Sequence, residues 1–459
     1  MKTAKNVLSM TNKSLLEDIQ SLSAFYEGGL TKNVSYRKFL LRGLKKQLQE
    51  HEEELLNSLY LDLNKTRQEA LFSEILLVYS EIDLMLSKLD DWTREKKVMP
   101  SILQMPAKAY SIYEPLGRVL IFSPWNYPVL LSLQPLIGAL AAGNVVAMKP
   151  SRSSPETAKS LKKILEGWND RVVKVLLGGE EVQQGLMDEP WDLIFFTGST
   201  RVGRMIAQKA GKTLSPSILE LGGKSPALVM EAGDMDKVAQ RILFGKYMNS
   251  GQTCIAPDYI LVEKGKKKEL VEALIRGYGD FNTDRVRCVN LKHYQRLHSY
   301  LKDQTLLFEG EKDEEKLLFG LHIVDEPSVS SPLMKEEIFG AILPVFEMEP
   351  EDMFLFIKKR PKPLALYCFT ENNDFWKKVV KELSFGGGMK DGTLLHLAGS
   401  LPFGGVGESG WGAYHGKKSF TSFSHEKSIL EKSRGYVNPF KKSRLLDWAM
   451  ELLLKKVRH

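Results

Sequence analysis

Across residues 36–63, leucines recur at three- and four-residue intervals among Lys, Arg, Gln and Glu. That is the period of a helix burying one stripe. Similar patterns fill the first hundred residues and predict scaffold rather than chemistry. From Gly117 the texture changes: the short β-rich runs RVLIFSPWN, NVVAMKPS, VVKVLLGG and DLIFFTGS each end in a turn and lead into a helical stretch. Strand, turn and helix in alternation predict a parallel sheet with right-handed crossovers, an open α/β domain of dinucleotide-binding type. Ligands of such sheets lie at the carboxyl ends of the strands. The residues singled out are therefore 124–126, 149–152, 178–179 and 197–203. After LELGGKSPALV the pattern restarts with YILVE, a lysine-rich helix, PVFEM, LALYCF and a glycine run at 386–388, which predicts a second α/β lobe. Residues 303–316 are densely charged and read as an exposed loop.

A chain of 459 residues exceeds one ordinary core, so two or three lobes with a ligand-binding cleft between them are expected. The composition, 43% hydrophobic and 26% charged, suits a globular protein. The net charge of +7 arises from 64 basic residues spread among 57 acidic ones, with no arginine-rich arm or aromatic-interleaved basic stripe, which argues against a nucleic-acid partner. Cys254, Cys288 and Cys368 are too few and too scattered for a disulfide framework, and no CxxC or CxxH spacing predicts a metal site. A reducing, cytoplasmic setting fits. The N-terminus lacks a signal-peptide core, and no apolar run reaches the ~18 residues that a membrane span needs. In the tail, residues 438–459, Leu445, Leu446, Trp448, Met450 and Leu452 alternate with Lys441, Lys442, Arg444, Lys455, Lys456 and Arg458. This is a basic amphipathic helix that packs on its own protein or touches a membrane surface.

Cys254, in NSGQTCIAPD, is surrounded by small and polar residues. It reads as a nucleophile or as buried filler, and a nucleophilic thiol needs a base or electropositive help. Glu220, in LELGGKSP, sits between leucines at a strand end, where poor solvation would raise its pKa towards general-base work; a half-buried surface glutamate is the alternative. Asn126, in SPWNYP, follows a strand and could donate to an oxyanion or serve as a turn residue. FTGSTRVG carries Gly198 and Gly203 from a strand into a helix, a phosphate-compatible turn that is not a Walker motif. Lys149 adds a cation at the same sheet edge.

Taken together, SPWNYP, MKPS, FFTGSTRVG, LELGGKSP, GQTCIAPD, EEIFG and LPFGGVGESG resemble the aldehyde dehydrogenase superfamily from about residue 34 to about residue 428. WNYP, GQTCIAPDY, RPKPLALY and GAYHGKKSF are most similar to its class 3 branch of fatty and aromatic aldehyde dehydrogenases. The resemblance implies a Rossmann-type cofactor-binding lobe (1–92 and 116–222), an α/β catalytic lobe (223–400), and a bridging or oligomerisation element with the tail (93–115 and 401–459), assembled as a homodimer. It implies Cys254 as nucleophile, Glu220 as general base, and Asn126 with the Cys254 amide as oxyanion hole. Lys149 and Glu337 would hold cofactor ribose hydroxyls, Phe339 would pack near the nicotinamide ribose, and Gly198 and Ser199 would lie at the pyrophosphate. The expected reaction is NAD(P)-dependent oxidation of an aldehyde to its acid through a cysteine thioester.

Four departures stand out. Arg152 occupies a position where the branch usually has glutamate, which tilts the cofactor expectation from NAD towards NADP. Ala341 replaces a proline, and Asp391, Gly392 and Thr393 replace an Asn-Asp-Thr string, while the loops near 279–287 and 398–400 are short. Trp125, Tyr127, Tyr247, Leu395, His396 and Leu397 are expected to form an apolar tunnel for a long-chain or aromatic aldehyde. Two other readings remain at this point: an acyl-CoA or acyl-phosphate reductase on the same scaffold, against which Glu220 argues, and a non-catalytic relative.

Overall fold

The helical pattern over residues 36–63 resolves in the computed structural model into two helices, Val34–Glu50 and Glu52–Leu63, which meet at His51 (φ −112°, ψ 17°). The structure describes residues 2–101, 104–281, 286–432 and 444–457. Asn33 caps the first helix by accepting from the amides of Ser35 and Tyr36, the usual remedy for unpaired N-terminal donors. The buried leucines of the first helix pack towards Leu76–Thr93 and towards Leu130–Ala142, and the second helix packs against Pro155–Asn169. Every residue of Leu130–Ala142 is buried, which is why its sequence is apolar all round.

The expected α/β architecture is present as two mainly parallel sheets. The first has the strand order Gly410–Trp411, Ser217–Leu221, Leu193–Gly198, Arg118–Phe122, Val145–Lys149, Val173–Val175. All neighbours are parallel except Gly410–Trp411, which comes from late in the chain and pairs antiparallel with Ser217–Leu221. Strands buried on both faces read as continuous apolar runs, as RVLIF and VVAMK do. The second sheet runs Leu306–Glu309, His322–Asp325, Ile342–Met348, Tyr259–Glu263, Pro226–Val229, Ala365–Phe369, Gly387–Lys390. A third, antiparallel sheet joins Lys96–Val98, Ala107–Pro115 and Ser424–Lys432.

One expectation is corrected here. Within the charged stretch 303–316, Leu306–Glu309 forms an antiparallel edge strand against His322–Asp325, and Lys312–Asp313 pairs with Leu318–Phe319. The run Leu306, Leu307, Phe308 supplies an apolar face that the surrounding charges conceal. At the far end of the chain, Arg444–Val457 is helical and exposes Trp448, Met450, Leu452 and Leu454. Residues 438–443, 458 and 459 of that tail, and 282–285 of the short loop, lie outside the described residues. Among the described residues no helix is long and apolar enough to cross a membrane.

Candidate active site

After the helix Met235–Tyr247 the chain passes through Asn249 (φ 55°), Ser250 (φ 52°) and Gly251 (φ 75°). Left-handed backbone at a non-glycine costs about 1–3 kcal/mol and persists only where the surroundings over-determine it. They do so here. The Asn249 amide donates to Glu69 Oε1 at 2.7 Å, Asn249 Nδ2 donates to the carbonyls of Asn126 (2.8 Å) and Gln252 (3.1 Å), and Ser250 Oγ donates to the Val286 carbonyl at 2.6 Å. This turn delivers Cys254, which remains partly exposed, to the meeting point of two cavities.

Asn126 is buried, and its Nδ2 donates to the Gln252 carbonyl at 2.9 Å. A primary amide carries two N–H donors, so a second hydrogen remains for a ligand. Under Asn126 lies a pair that the sequence reading missed. Lys65 Nζ sits 2.6 Å from Glu74 Oε1, with both side chains fully buried, and donates to the Asn126 carbonyl at 3.3 Å. No hydrophobic period or motif marks either residue, because Lys65 sits in the short connection between Glu52–Leu63 and Arg67–Ala70 and Glu74 in the helical segment that follows, both ordinary places for a charged residue.

Glu220 lies in the strand Ser217–Leu221, registered with Thr197 on one side and Gly410 on the other. It is 2% exposed, and neither carboxylate oxygen has a hydrogen-bond partner. Burial alone raises its pKa well above the ordinary carboxylate range. Glu337 is pushed up to about 8, first by burial and then by Asp258. The Cys254 thiol is also pushed up, by burial and then by Glu337 and Glu220, with the backbone amides of Cys254 and Ile255 opposing. The thiol is therefore protonated in this arrangement, and attack by sulfur requires transfer of its proton to a base.

The larger cavity is a cleft of about 1370 Å³ whose walls include Asn126, Gly198, Ser199, Glu220, Cys254, Glu337 and Phe339. Ser199 precedes the helix Thr200–Thr213, which has no side-chain cap, leaving N-terminal amides available to an anion. Gly222 is required by close approach, since a Cβ there would lie 1.9 Å from Glu337 Oε2; Glu337 Oε1 has no partner. Phe339 adopts φ 55°, its carbonyl accepts from His293 Nε2 at 2.8 Å, and its ring meets Trp125 edge-on at 5.4 Å. An uncapped helix start, an unsatisfied buried carboxylate and a polar cleft fit a nucleotide with ribose hydroxyls and a pyrophosphate. Lys149 and Arg152 lie outside these walls, beyond the strand Arg118–Phe122. Lys149 is buried, donates to the Pro150 carbonyl at 3.2 Å, and has its pKa lowered by burial and by Arg152. Arg152 itself is exposed and reaches Gly179, where a Cβ would stand 3.3 Å from its Nη1.

The second cavity is an apolar tunnel of about 480 Å³ that shares Cys254 and Leu131 with the cleft. Of the six residues expected to form it, Tyr127, Leu395 and Leu397 do so. Trp125 faces the cleft instead, Tyr247 packs against Tyr278 (5.5 Å) and Phe281 (5.9 Å), and His396 lies against Tyr367 (5.9 Å). Further walls come from Phe72, Leu77, Leu84, Phe244 and Met248, helical residues that look like core positions in sequence, and from Phe403, Tyr414 and His415 late in the chain. The departures at 391–393 make turn contacts: Asp391 Oδ1 accepts from the Thr370 amide at 3.1 Å, and Thr393 Oγ1 donates to the Arg241 carbonyl at 2.7 Å. Ala341 is buried, and its carbonyl accepts from the His322 amide at 2.9 Å.

Comparison with known proteins places this geometry. Residues 20–429 match the aldehyde dehydrogenase family. The 4,4'-diaponeurosporen-aldehyde dehydrogenase of Staphylococcus aureus is 43% identical over 422 residues, 89% of this chain and 92% of its own. Aldehyde dehydrogenase family 3 member A2 of Pongo abelii is 40% identical over 455 residues, 96% and 94% of the two chains. Among solved structures, the substrate-bound state of Staphylococcus aureus AldH superposes with a TM-score of 0.92 at 40% identity, covering 95% of this chain and 99% of that one.

Proposed function

The chain belongs to the aldehyde dehydrogenase family, within its class 3 branch, and from that premise we propose which residues carry out the oxidation of an aldehyde to its acid. The observation that carries the assignment is that Cys254 forms the common wall of a polar cleft and an apolar tunnel. An aldehyde entering by the tunnel meets the thiol with its carbonyl turned towards the cleft. Glu220, made a stronger base by burial, takes the thiol proton as the S–C bond forms. The resulting oxyanion is received by the free N–H of Asn126 and by the Cys254 amide, donors already fixed in place before reaction. When bound in the cleft, the nicotinamide of NAD or NADP supplies the hydride acceptor. Cys254 then holds the acyl group as a thioester. Glu220, whose oxygens have no competing partner, first releases the thiol proton to solvent, then deprotonates the water that attacks the thioester and returns that proton to sulfur as the C–S bond breaks, so that the acid leaves with the thiol restored. A free base here supports water, rather than coenzyme A or phosphate, as the acyl acceptor.

Gly198 and Ser199 would hold the pyrophosphate, Lys149 and Glu337 the ribose hydroxyls, and Phe339 would pack on the nicotinamide ribose. Arg152 supports NADP over NAD, since its exposed guanidinium stands beside Lys149 at the same strand end. The apolar tunnel supports a long-chain aliphatic or aromatic aldehyde, in line with a relative named for 4,4'-diaponeurosporen-aldehyde. The nine-residue edge strand Ser424–Lys432, together with the exposed Val98, Met99 and Leu430, supports a homodimer formed through the antiparallel sheet, because such an edge is a template for pairing. The cofactor-binding, catalytic and bridging divisions expected from the sequence, and a cytoplasmic location, belong to the same reading.

The test is the appearance of reduced nicotinamide with a medium-chain and an aromatic aldehyde, with NAD and NADP assayed separately. Turnover that Cys254→Ser abolishes, with cofactor affinity retained, is the expected result. Silence from folded, cofactor-binding wild-type protein overturns the assignment.

A further inference from the structure

We propose that the segment from Lys65 to Ile75 is a positioning element for the reaction, in which Lys65 and Glu74 set the oxyanion donor Asn126 and Glu69 sets the turn that carries Cys254. The inference rests on the roles given above to Asn126 and Cys254 and extends them to three residues that line neither the cleft nor the tunnel.

The geometry is specific. Lys65 Nζ lies 2.6 Å from Glu74 Oε1 and 3.3 Å from the Asn126 carbonyl, and 4.3 Å from the centroid of the Tyr127 ring. The other oxygen of Glu74 accepts from the amides of Val129 (2.8 Å) and Leu130 (3.0 Å), where the helix Leu130–Ala142 begins. Lysine and glutamate together thus hold the Asn126 carbonyl and the backbone three and four residues beyond it. Tyr127 extends the same support to the nucleophile, because its hydroxyl lies 2.7 Å from Thr253 Oγ1, next to Cys254 in the chain. Glu69 Oε1 accepts from the Asn249 amide at 2.7 Å, at the first left-handed residue of the Cys254 turn.

The local backbone is what brings these groups together. Leu71–Ile75 is a π-helical turn following the short α-helix Arg67–Ala70, an irregularity that occurs chiefly at functional sites. Across this turn Glu74 is buried beneath Asn126 while Phe72 and Ser73 line the tunnel. A buried ion pair is weak evidence for stability, since apolar residues of similar volume often serve as well or better. A fully buried pair in this position is instead explained by what it orients.

Positioning and plain structural support predict different kinetics. Lys65→Met should lower kcat by ten- to a hundredfold with the aldehyde KM little changed, and should leave the cofactor dissociation constant, read from protein fluorescence, within twofold of wild type. In an Asn126→Ala background the same substitution should cost less than threefold, because the donor it sets is gone. Lys65→Met/Glu74→Leu removes both buried charges, so it avoids leaving one uncompensated, and should fold while keeping the kcat deficit. Losses that multiply independently in the two backgrounds, a cofactor constant that weakens in parallel with kcat, or a charge-free pair with wild-type kcat would each overturn the proposal. An Asn126→Ala enzyme with undiminished kcat would instead sink the oxyanion assignment on which it rests.

Discussion

The cleft and the tunnel meet at one sulfur atom and are built on opposite plans. The cleft is made of strand ends and the turns that follow them, so its walls come from contiguous strings: Asn126 after Arg118–Phe122, Gly198 and Ser199 after Leu193–Gly198, Glu220 and Gly222 at the end of Ser217–Leu221. The tunnel is made of helix faces closed by loop residues from 394–415, and its walls come from residues as distant as Phe72, Phe244 and His415. Polar groups in the cleft acquire their properties from burial, which raises Glu220, Glu337 and Cys254 together. Side chains in the tunnel act through volume. The cleft should therefore fail steeply when a charge or a close approach is altered, whereas the tunnel should tolerate change in steps of shape.

The largest break expected on the cleft side is Glu220→Gln. If Glu220 activates the hydrolytic water, steady-state turnover should fall by roughly 10²–10⁴-fold, the range of general acid–base catalysis, and because the same carboxylate takes the thiol proton, the first burst of reduced nicotinamide should be slowed as well. The pH profile separates this from general damage. Burial raises the folded-state pKa of Glu220, so in wild type the rate of deacylation rises with pH as the carboxylate ionises, and the variant loses that arm. Stability moves the other way. A carboxyl whose folded pKa lies above its unfolded value binds more protons when folded, so its contribution is complete below the unfolded pKa and is lost as pH rises through the folded one. Glu220→Gln should therefore melt higher than wild type at neutral and alkaline pH. An unchanged steady-state rate and pH profile would remove Glu220 from the deacylation step.

Gly222→Ala sharpens the comparison, because it alters the cleft and leaves the tunnel untouched. The new Cβ would fall 1.9 Å from Glu337 Oε2, so the carboxylate must move. A displacement of about 1 Å in a positioning group can cost on the order of 10²-fold. That loss is expected in kcat/KM for NAD(P), with the relative preference among aldehydes of different chain length preserved. A shift in aldehyde preference instead would mean that the two cavities are not separable at Gly222.

The same contrast explains what the sequence discloses. Cys254, Glu220, Asn126, Gly198, Glu337 and Phe339 stand in short strings with punctuation on either side, and the structure gathers all of them around the cleft. Strand-end chemistry is local, so local pattern is enough to locate it. Phe72, Leu77, Leu84 and Met248 sit at positions where any helix of this kind would place a core residue, and only the packing decides that they border a void. Lys65 and Glu74 are hidden for the complementary reason: two charged residues in an amphipathic stretch look solvated until the fold buries both. Trp125, Tyr247 and His396 suit a tunnel by residue type and equally suit a core, so the sequence alone does not separate the two. The turn at Asn249–Gly251 and the path of the chain after Phe122 send Tyr247 and Trp125 elsewhere. The strand Leu306–Glu309 was concealed by its charged neighbours, an edge position where alternation is weak.

The smallest effect is expected at the outer rim of the cofactor side, from Arg152→Glu. Arg152 is exposed and stands near Lys149 and Gly179 at the carboxyl end of Val145–Lys149. If its guanidinium contacts a 2′-phosphate, the substitution should lower kcat/KM for NADP by about tenfold while leaving NAD nearly unchanged, since an exposed ion pair contributes only about 1 kcal/mol in water. Screening gives a second handle. Exposed charges interact over a Debye length that shrinks from about 10 Å at 0.1 M salt to about 3 Å at 1 M, so the NADP preference of wild type should decline as salt is added, and that of the variant should not. A cofactor ratio insensitive to both the substitution and the salt would place the 2′ position away from Arg152. The discrimination would then lie elsewhere in the cofactor site, and the rim would be as inert towards the cofactor as the tunnel wall.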